Sequence, residues 1–151
     1  MVLFYYLEEW RNLNVSGNCV HPGSLPEGQP EIFRRPGGNN WILRAGVNGS
    51  ASVYHFLFIK SDETGSDIAL RIFNLVKFPP HAIQRGYEVL NDLQLKYRHI
   101  RFVLDKDGNV NVEYDFPTAY QPIGDGAVEM LVRLTKVLDE CYPVLMRSVW
   151  N

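Results

Sequence analysis

The sequence has few of the features that would point to a particular chemistry or compartment. Its two cysteines, Cys19 and Cys141, lie far apart in the chain, so they offer no disulfide framework and fit a reducing compartment. No apolar run is long enough to span a membrane, and the opening segment MVLFYYLEEW lacks the basic start and long apolar stretch of a secretory signal peptide. The net charge of −2 argues against nucleic acid or a membrane surface as the main partner. We therefore expect a cytoplasmic protein.

Metal-binding and catalytic motifs are also missing. Cys19 and His21 are two potential ligands where a zinc site needs three or four, and the other histidines show no ligand spacing. The run that begins at Asp105, DKDGN, resembles the start of a calcium loop. The Gly and Glu that such a loop requires are replaced by Val110 and Phe116. We therefore expect no metal, no other cofactor and no enzyme activity.

The most informative segment that is present runs from Ile100 to Pro117, where apolar and polar residues alternate on both sides of a turn. This pattern predicts a β-hairpin. A three-residue loop at Lys106-Asp107-Gly108, with glycine in the left-handed position, keeps one face of the hairpin apolar, whereas a two-residue loop would mix the faces. The longer loop predicts three cross-strand pairs: Leu104 with Val110, Phe102 with Val112, and Arg101 with Glu113.

The remaining segments predict further strands and helices. An N-terminal helix is predicted over Val2–Leu13, followed by a long loop over residues 17–40 that contains a short strand at Glu31–Arg34. Strands follow at 41–45, 52–60 and 67–76, with a turn at 46–50. A helix then runs from Pro80 to about Lys96, with Ile83, Tyr87 and Leu90 on its apolar side. A last helix begins near Asp125, and Pro143 should kink or shorten it.

These elements together predict one α+β domain over residues 1–151. Its sheet is antiparallel, has about five strands and carries helices packed on it, in the order α-β-β-β-α-β-β-α.

The strand from Val53 to Ile59 is apolar on both of its faces, although an antiparallel sheet with helices on one side usually alternates apolar with polar residues. One face carries three aromatic residues, Tyr54, Phe56 and Phe58. We predict that this face binds a partner protein or a second copy of the chain, because monomers rarely leave such a patch in water. The alternative is internal cover by the N-terminal helix or by the long loop.

A catalytic alternative also exists in the second strand of the hairpin. Glu113 and Asp115 fall on the same face and could act as an acid–base pair, with His99 nearby, in a small hydrolase or ligand-binding enzyme. The simpler interpretation is a solvated strand face, on which Glu113 lies opposite Arg101 and Asp115 lies opposite His99. We expect the solvated strand face rather than the acid–base pair.

The run from Trp41 to Val149 resembles the YbjN family, described as bacterial sensory transduction regulators. The resemblance is carried by four motifs: NLVKFP at 74–79, VLND at 89–92, RFVLDKDGNVNVEYDFP at 101–117 and LDECYPVLMR at 138–147. It implies the fold of type III secretion chaperones, which are often dimeric, and it implies no enzyme activity. The expected function is then protein binding, as a regulator or chaperone-like adaptor. A toxin-neutralising immunity protein is a further possibility of the same kind.

Overall fold

A computed structural model describes residues 31–34, 40–61, 67–117 and 123–150. The predicted N-terminal helix and most of the predicted loop over 17–40 lie outside these ranges. The described part contains six strands, two helices and one turn of 3-10 helix. In chain order they are β1 (Glu31–Arg34), β2 (Asn40–Asn48), β3 (Val53–Ser61), β4 (Asp67–Lys77), the 3-10 turn (Pro80–Ala82), α1 (Ile83–Lys96), β5 (Arg101–Leu104), β6 (Asn109–Pro117) and α2 (Ile123–Trp150).

All six strands form one antiparallel sheet in the order β1-β2-β3-β4-β6-β5. The predicted α+β class and its antiparallel sheet with packed helices are confirmed. The sheet has six strands rather than about five, because the short segment Glu31–Arg34 pairs with β2. β6 pairs with β4 on one side and with β5 on the other, so β5 lies at the end of the sheet. β5 is therefore an edge strand.

The hairpin has the predicted register. Phe102 lies opposite Val112, Arg101 opposite Glu113, and Leu104 opposite Val110. Gly108 has a φ of 83°, in the left-handed region, and its N–H donates to the carbonyl of Asp105 at 3.1 Å. The Asp105 carboxylate accepts hydrogen bonds from the side chain and backbone of Asn109, and these hydrogen bonds lower its pKa. The loop therefore has its own polar network, which explains why local sequence predicted it well.

The predicted end of β2 was wrong. The Gly and Asn residues from Gly46 onward predicted a turn, yet the strand continues to Asn48, which pairs with Val53. Strand preference depends strongly on what a segment pairs with, and here each residue of β2 from 40 to 48 has a partner on β3. Pairing therefore outweighs the low strand propensity of glycine and asparagine.

Helix α1 buries Leu90 as predicted and Ile83 packs partly buried against the core, but Tyr87 does not lie on the buried side. Its buried residues are Gly86, Leu90 and Leu93, whereas Tyr87 is 54% exposed. A Cβ on Gly86 would meet the Phe78 ring and the Leu104 side chain at 3.2 Å, so the helix lies close to the sheet there. Glycine allows this close approach, and the approach rotates Tyr87 out of the core.

Helix α2 continues past Pro143 to Trp150, so the predicted shortening was wrong. Proline removes one backbone hydrogen bond from a helix interior. Buried residues on both sides of it, Leu138, Cys141 and Leu145, pack into the core. Tertiary packing of an apolar face thus holds the helix together across the proline, as it does for most helices in proteins.

Candidate protein-binding edge

The three aromatic residues predicted to bind a partner lie in the core of the single chain. Tyr54, Phe56 and Phe58 are fully or almost fully buried, with Phe56 at 0% exposure. The prediction that this face is a partner-binding surface was therefore wrong. The patch is covered by other residues of the same chain, so the cost of exposing three rings to water does not arise.

The cover comes from α2, which sequence reasoning did not assign to this face. The apolar stripe of α2, including Leu131, Leu134 and Leu138, is buried in the same core cluster as the three rings. The rings of Tyr54 and Tyr142 pack edge to face with their centroids 6.3 Å apart. The N-terminal helix, which was the predicted alternative cover, lies outside the described part of the chain.

A carboxylate on α2 ties this helix to the loop between β2 and β3. Asp139 accepts hydrogen bonds from the backbone N–H of Ser50 at 3.0 Å and of Ala51 at 3.1 Å, and from the Tyr54 hydroxyl at 2.9 Å. The two backbone donors lower the pKa of Asp139 to about 2. Burial raises the pKa of Tyr54, so this hydroxyl stays a donor. The carboxylate acts as a structural anchor.

Asp139 makes stability depend on pH in a defined window. Because its folded pKa is about 2 and its ordinary value is 3.8, the charged form stabilises the fold above pH 4, and this contribution is lost as pH falls toward 2. Asp139→Asn should lower the melting temperature at pH 7. The difference from the unmodified chain should shrink between pH 4 and pH 2. Thermal unfolding followed by circular dichroism at stepped pH measures both effects.

Asp92→Asn is the matched control for this prediction, since Asp92 is exposed on α1 and makes no side-chain hydrogen bond with a described residue. It should leave the melting temperature unchanged across the same pH range. If Asp139→Asn behaves like Asp92→Asn at pH 7, the anchor role of Asp139 is wrong.

The opposite face of the sheet, here called the outer face, carries half-buried apolar residues and ion pairs. Leu57 and Ile59 of β3 are half-buried there, and Val53 is exposed. Next to them, the Arg71 guanidinium binds the Asp115 carboxylate at 2.6 Å and also donates to the carbonyl of Tyr114. The strand that is apolar on both faces is thus covered by α2 on its aromatic face only, as far as the described residues show.

His99 is not brought to the two acids of the catalytic alternative. Glu113 is bound by Arg101, and Asp115 by Arg71, so each carboxylate has a cationic partner. His99 lies in the turn before β5 with a φ of 67°, outside the ladder, so its predicted pairing with Asp115 is wrong. Among the described residues, no hydrogen bond joins His99 to either acid.

Other sites of reactive or metal-binding chemistry are not formed within the described ranges. No group of three or more His, Cys, Asp or Glu side chains there is placed to hold a metal ion. The Cys141 thiol is buried, and burial raises its pKa to about 11, so the nucleophilic thiolate is disfavoured. Cys19 and His21 lie outside the described part of the chain.

An open groove lies beside β5. This groove, of about 630 Å³, runs between α1 and the edge strand. Its helical wall includes Tyr87, Asn91 and Gln94, which recur at four- and three-residue spacing and so share one side of α1. Arg101 and Val103 of β5 form the opposite wall, and Val103 is 36% exposed. The helical spacing of these three residues is visible in the sequence. Only the packing of α1 places their side of the helix beside an open strand.

The backbone of β5 presents free hydrogen-bonding groups at this groove. The N–H of Asp105 donates to the carbonyl of Asn109 at 2.9 Å, so this pair is hydrogen-bonded. Hydrogen-bonded and non-hydrogen-bonded pairs alternate along an antiparallel ladder. The N–H and C=O groups of Phe102 and Leu104 therefore point away from β6, toward the edge. Within the described ranges, no other strand pairs with this edge.

Comparison with protein-family models and with curated proteins finds no match for this chain. Neither helix of the described part combines the length and the apolar character needed to cross a membrane.

Proposed function

We propose that this chain is a non-enzymatic, cytoplasmic protein-binding domain, a regulator or chaperone-like adaptor of the YbjN type. It binds another polypeptide by adding a strand to the open edge of β5. The observation that carries this proposal is the row of outward-pointing backbone groups at Phe102 and Leu104, beside a groove lined by α1.

Strand addition suits this edge for two physical reasons. Main-chain hydrogen bonds at an open edge provide affinity, and side-chain pockets along it provide selectivity. Unpaired edges invite association, and proteins usually protect them with charges, prolines or bulges. β5 carries an exposed valine at its middle, Val103, and a single charge, Arg101, already bound to Glu113. Apart from its short length of four residues and the paired Arg101, this edge has neither a proline nor a bulge, as expected for a binding strand.

The ion pairs of the outer face favour binding over catalysis. An acid–base pair needs carboxyl groups whose environments separate their pKa values. Here both acids of the catalytic alternative are held by arginines on the outer face of the sheet. Such pairs orient and solubilise a strand surface, and they leave no carboxyl group placed beside His99.

Photocrosslinking from the edge tests the proposal. A photoreactive phenylalanine derivative at position 103 should form one discrete adduct with a polypeptide in cells of the source organism. Tandem mass spectrometry should identify the joined segment. The same residue at position 132, which is an exposed valine on α2, is the matched control and should form no such adduct.

The adduct should disappear when Leu104→Pro is added, because this change removes an outward N–H from the edge. Circular dichroism establishes that the altered chain still folds. Absence of any polypeptide adduct at position 103, or equal yields at 103 and 132, contradicts strand addition at β5.

A further inference from the structure

We propose that a further binding site lies inside the sheet, where β3 and β4 separate, and that it takes an extended, acidic segment of a partner protein. β3 pairs with β4 from Leu57 opposite Arg71 to Lys60 opposite Ile68 and no further. Residues 53–55 of β3 and 73–77 of β4 lie beyond the last pair and border what is here called the sheet opening. The sheet opening is separate from the β5 edge, because β6 lies between β4 and β5.

An irregularity in β4 accounts for the separation. The pairing of β4 with β6 shifts between Ile72 and Val76, which leaves residues 73–75 without partners on β6. Asn74 has a φ of 55°, and its N–H donates to the Asn111 side chain at 2.9 Å. Such bulges bend a strand and increase its twist. The second half of β4 therefore stays with β6 and turns away from β3.

On the β4 wall, backbone hydrogen-bonding groups point into the sheet opening. The N–H of Phe78 donates to the carbonyl of Gly108 at 2.8 Å, on the side of β6. The backbone groups of successive strand residues point to opposite sides. Those of Leu75 and Lys77 therefore point away from β6, toward β3, where neither residue has a paired partner.

On the β3 wall, two residues present their backbone groups in the same way. The N–H of Gly49 donates to the carbonyl of Ser52 at 2.9 Å across the turn between β2 and β3. By alternation from this bond, the groups of Val53 and His55 point away from β2, toward β4, and neither residue is paired there. Unpaired strand backbone is the surface to which an extended main chain adds.

Exposed apolar side chains flank these backbone groups. Val53 is 53% exposed and Phe73 is 50% exposed. Both lie on the outer face, because they fall an even number of residues from Leu57 and Arg71 along their strands. A strand bound in the sheet opening would satisfy the backbone groups and would also remove this apolar surface from water.

The charges of the two walls favour an acidic segment. Residues 53–57 and 71–77 contain no Asp or Glu. Arg71 is already bound to Asp115, whereas Lys77 is exposed and forms no ion pair with a described residue. Asp139 lies at the adjacent turn, but three hydrogen-bond donors of the chain hold its carboxylate. An acidic residue on the bound strand therefore finds a free cation at Lys77 and no free carboxylate on either wall to repel it.

Amide hydrogen exchange of the free chain, followed by nuclear magnetic resonance, tests the geometry. The amides of Leu75 and Lys77 should exchange rapidly, because they point into the sheet opening. Those of Ala69 and Arg71, which pair with β3, should be protected. Slow exchange at both Leu75 and Lys77 would show that the free chain already fills the opening, and this result overturns the proposal.

A synthetic peptide tests the occupant. The probe has threonine at every second position, with valine and glutamate alternating between the threonines, and the control peptide carries lysine in place of glutamate. The glutamate peptide should protect the amides of Leu75 and Lys77 and should bind at least about tenfold more tightly than the lysine peptide. Absence of binding, equal binding of both peptides, or protection confined to Phe102 and Leu104 on β5 rejects the sheet opening as the site.

Lys77→Glu separates the charge contact from the backbone contact. This variant should prefer the lysine peptide, because the charge on the β4 wall is reversed. Its thermal unfolding should stay cooperative, since Lys77 is exposed. The matched control is Lys136→Glu, the same change at an exposed lysine on α2, which should keep the preference for glutamate. A Lys77→Glu chain that still prefers the glutamate peptide contradicts the role assigned to Lys77 and with it the acidic partner.

Discussion

Phe56→Ser is expected to abolish the cooperative fold or to leave it only marginally stable. Phe56 has no exposed surface and lies in the core between β3 and α2. Removing a buried phenylalanine ring costs about 3–5 kcal/mol, and an unpaired serine hydroxyl in its place costs about 1–3 kcal/mol more. Domains of this size have total stabilities of roughly 5–15 kcal/mol. Urea unfolding followed by far-ultraviolet circular dichroism should therefore show a large loss of free energy or no transition at all.

Phe73→Ser is the matched control, because Phe73 is 50% exposed on β4. The same chemical change there should cost about 1 kcal/mol or less, as is usual for surface positions. If the two variants unfold at similar urea concentrations, the placement of the aromatic face in the core is wrong. A cooperative Phe56→Ser variant with weakened self-association would instead restore the original view of this face as an interface.

Gly108→Ala should destabilise the chain by at least about 2 kcal/mol, because two separate costs add. The residue has a φ of 83°, which an L side chain rarely adopts. A Cβ there would also lie 2.4 Å from the carbonyl oxygen of Phe78, a backbone atom that cannot swing aside. The N–H of Phe78 donates to the carbonyl of Gly108 at 2.8 Å, so moving either segment breaks this contact. Thermal and urea unfolding measure the loss.

Gly46→Ala supplies the comparison for this prediction. Gly46 lies in β2, and a Cβ there would make only an ordinary contact with His55 at 3.8 Å. That substitution should be neutral or slightly stabilising, since glycine in a strand interior carries an entropic cost. Equal destabilisation by the two changes would show that the hairpin loop does not depend on the left-handed glycine.

Local patterns determined the parts of this protein whose interactions are close in sequence. The Phe102–Val112 register followed from alternation and from the loop length that keeps one face apolar, because a one-residue slip would turn every side chain over. The loop itself followed from Asp105 and Gly108, whose preferences are satisfied within five residues of chain. The α+β class followed in the same way, from the order of such segments.

Only the tertiary structure decided which helices and strands pack against each other. The two-sided apolar strand showed that Phe56 needed cover, but a pattern of apolar residues does not say which element supplies it. Helix α2 does so, from about 80 residues further along the chain. The rotation of α1 about its own axis depended on the close approach at Gly86, and this rotation left Tyr87 outside the core. The candidate binding groove between α1 and β5 is a result of this packing. β5 is an edge strand because β6 pairs with β4 and leaves β5 at the end of the sheet. This strand order is set by packing between distant segments rather than by any residue of β5 itself.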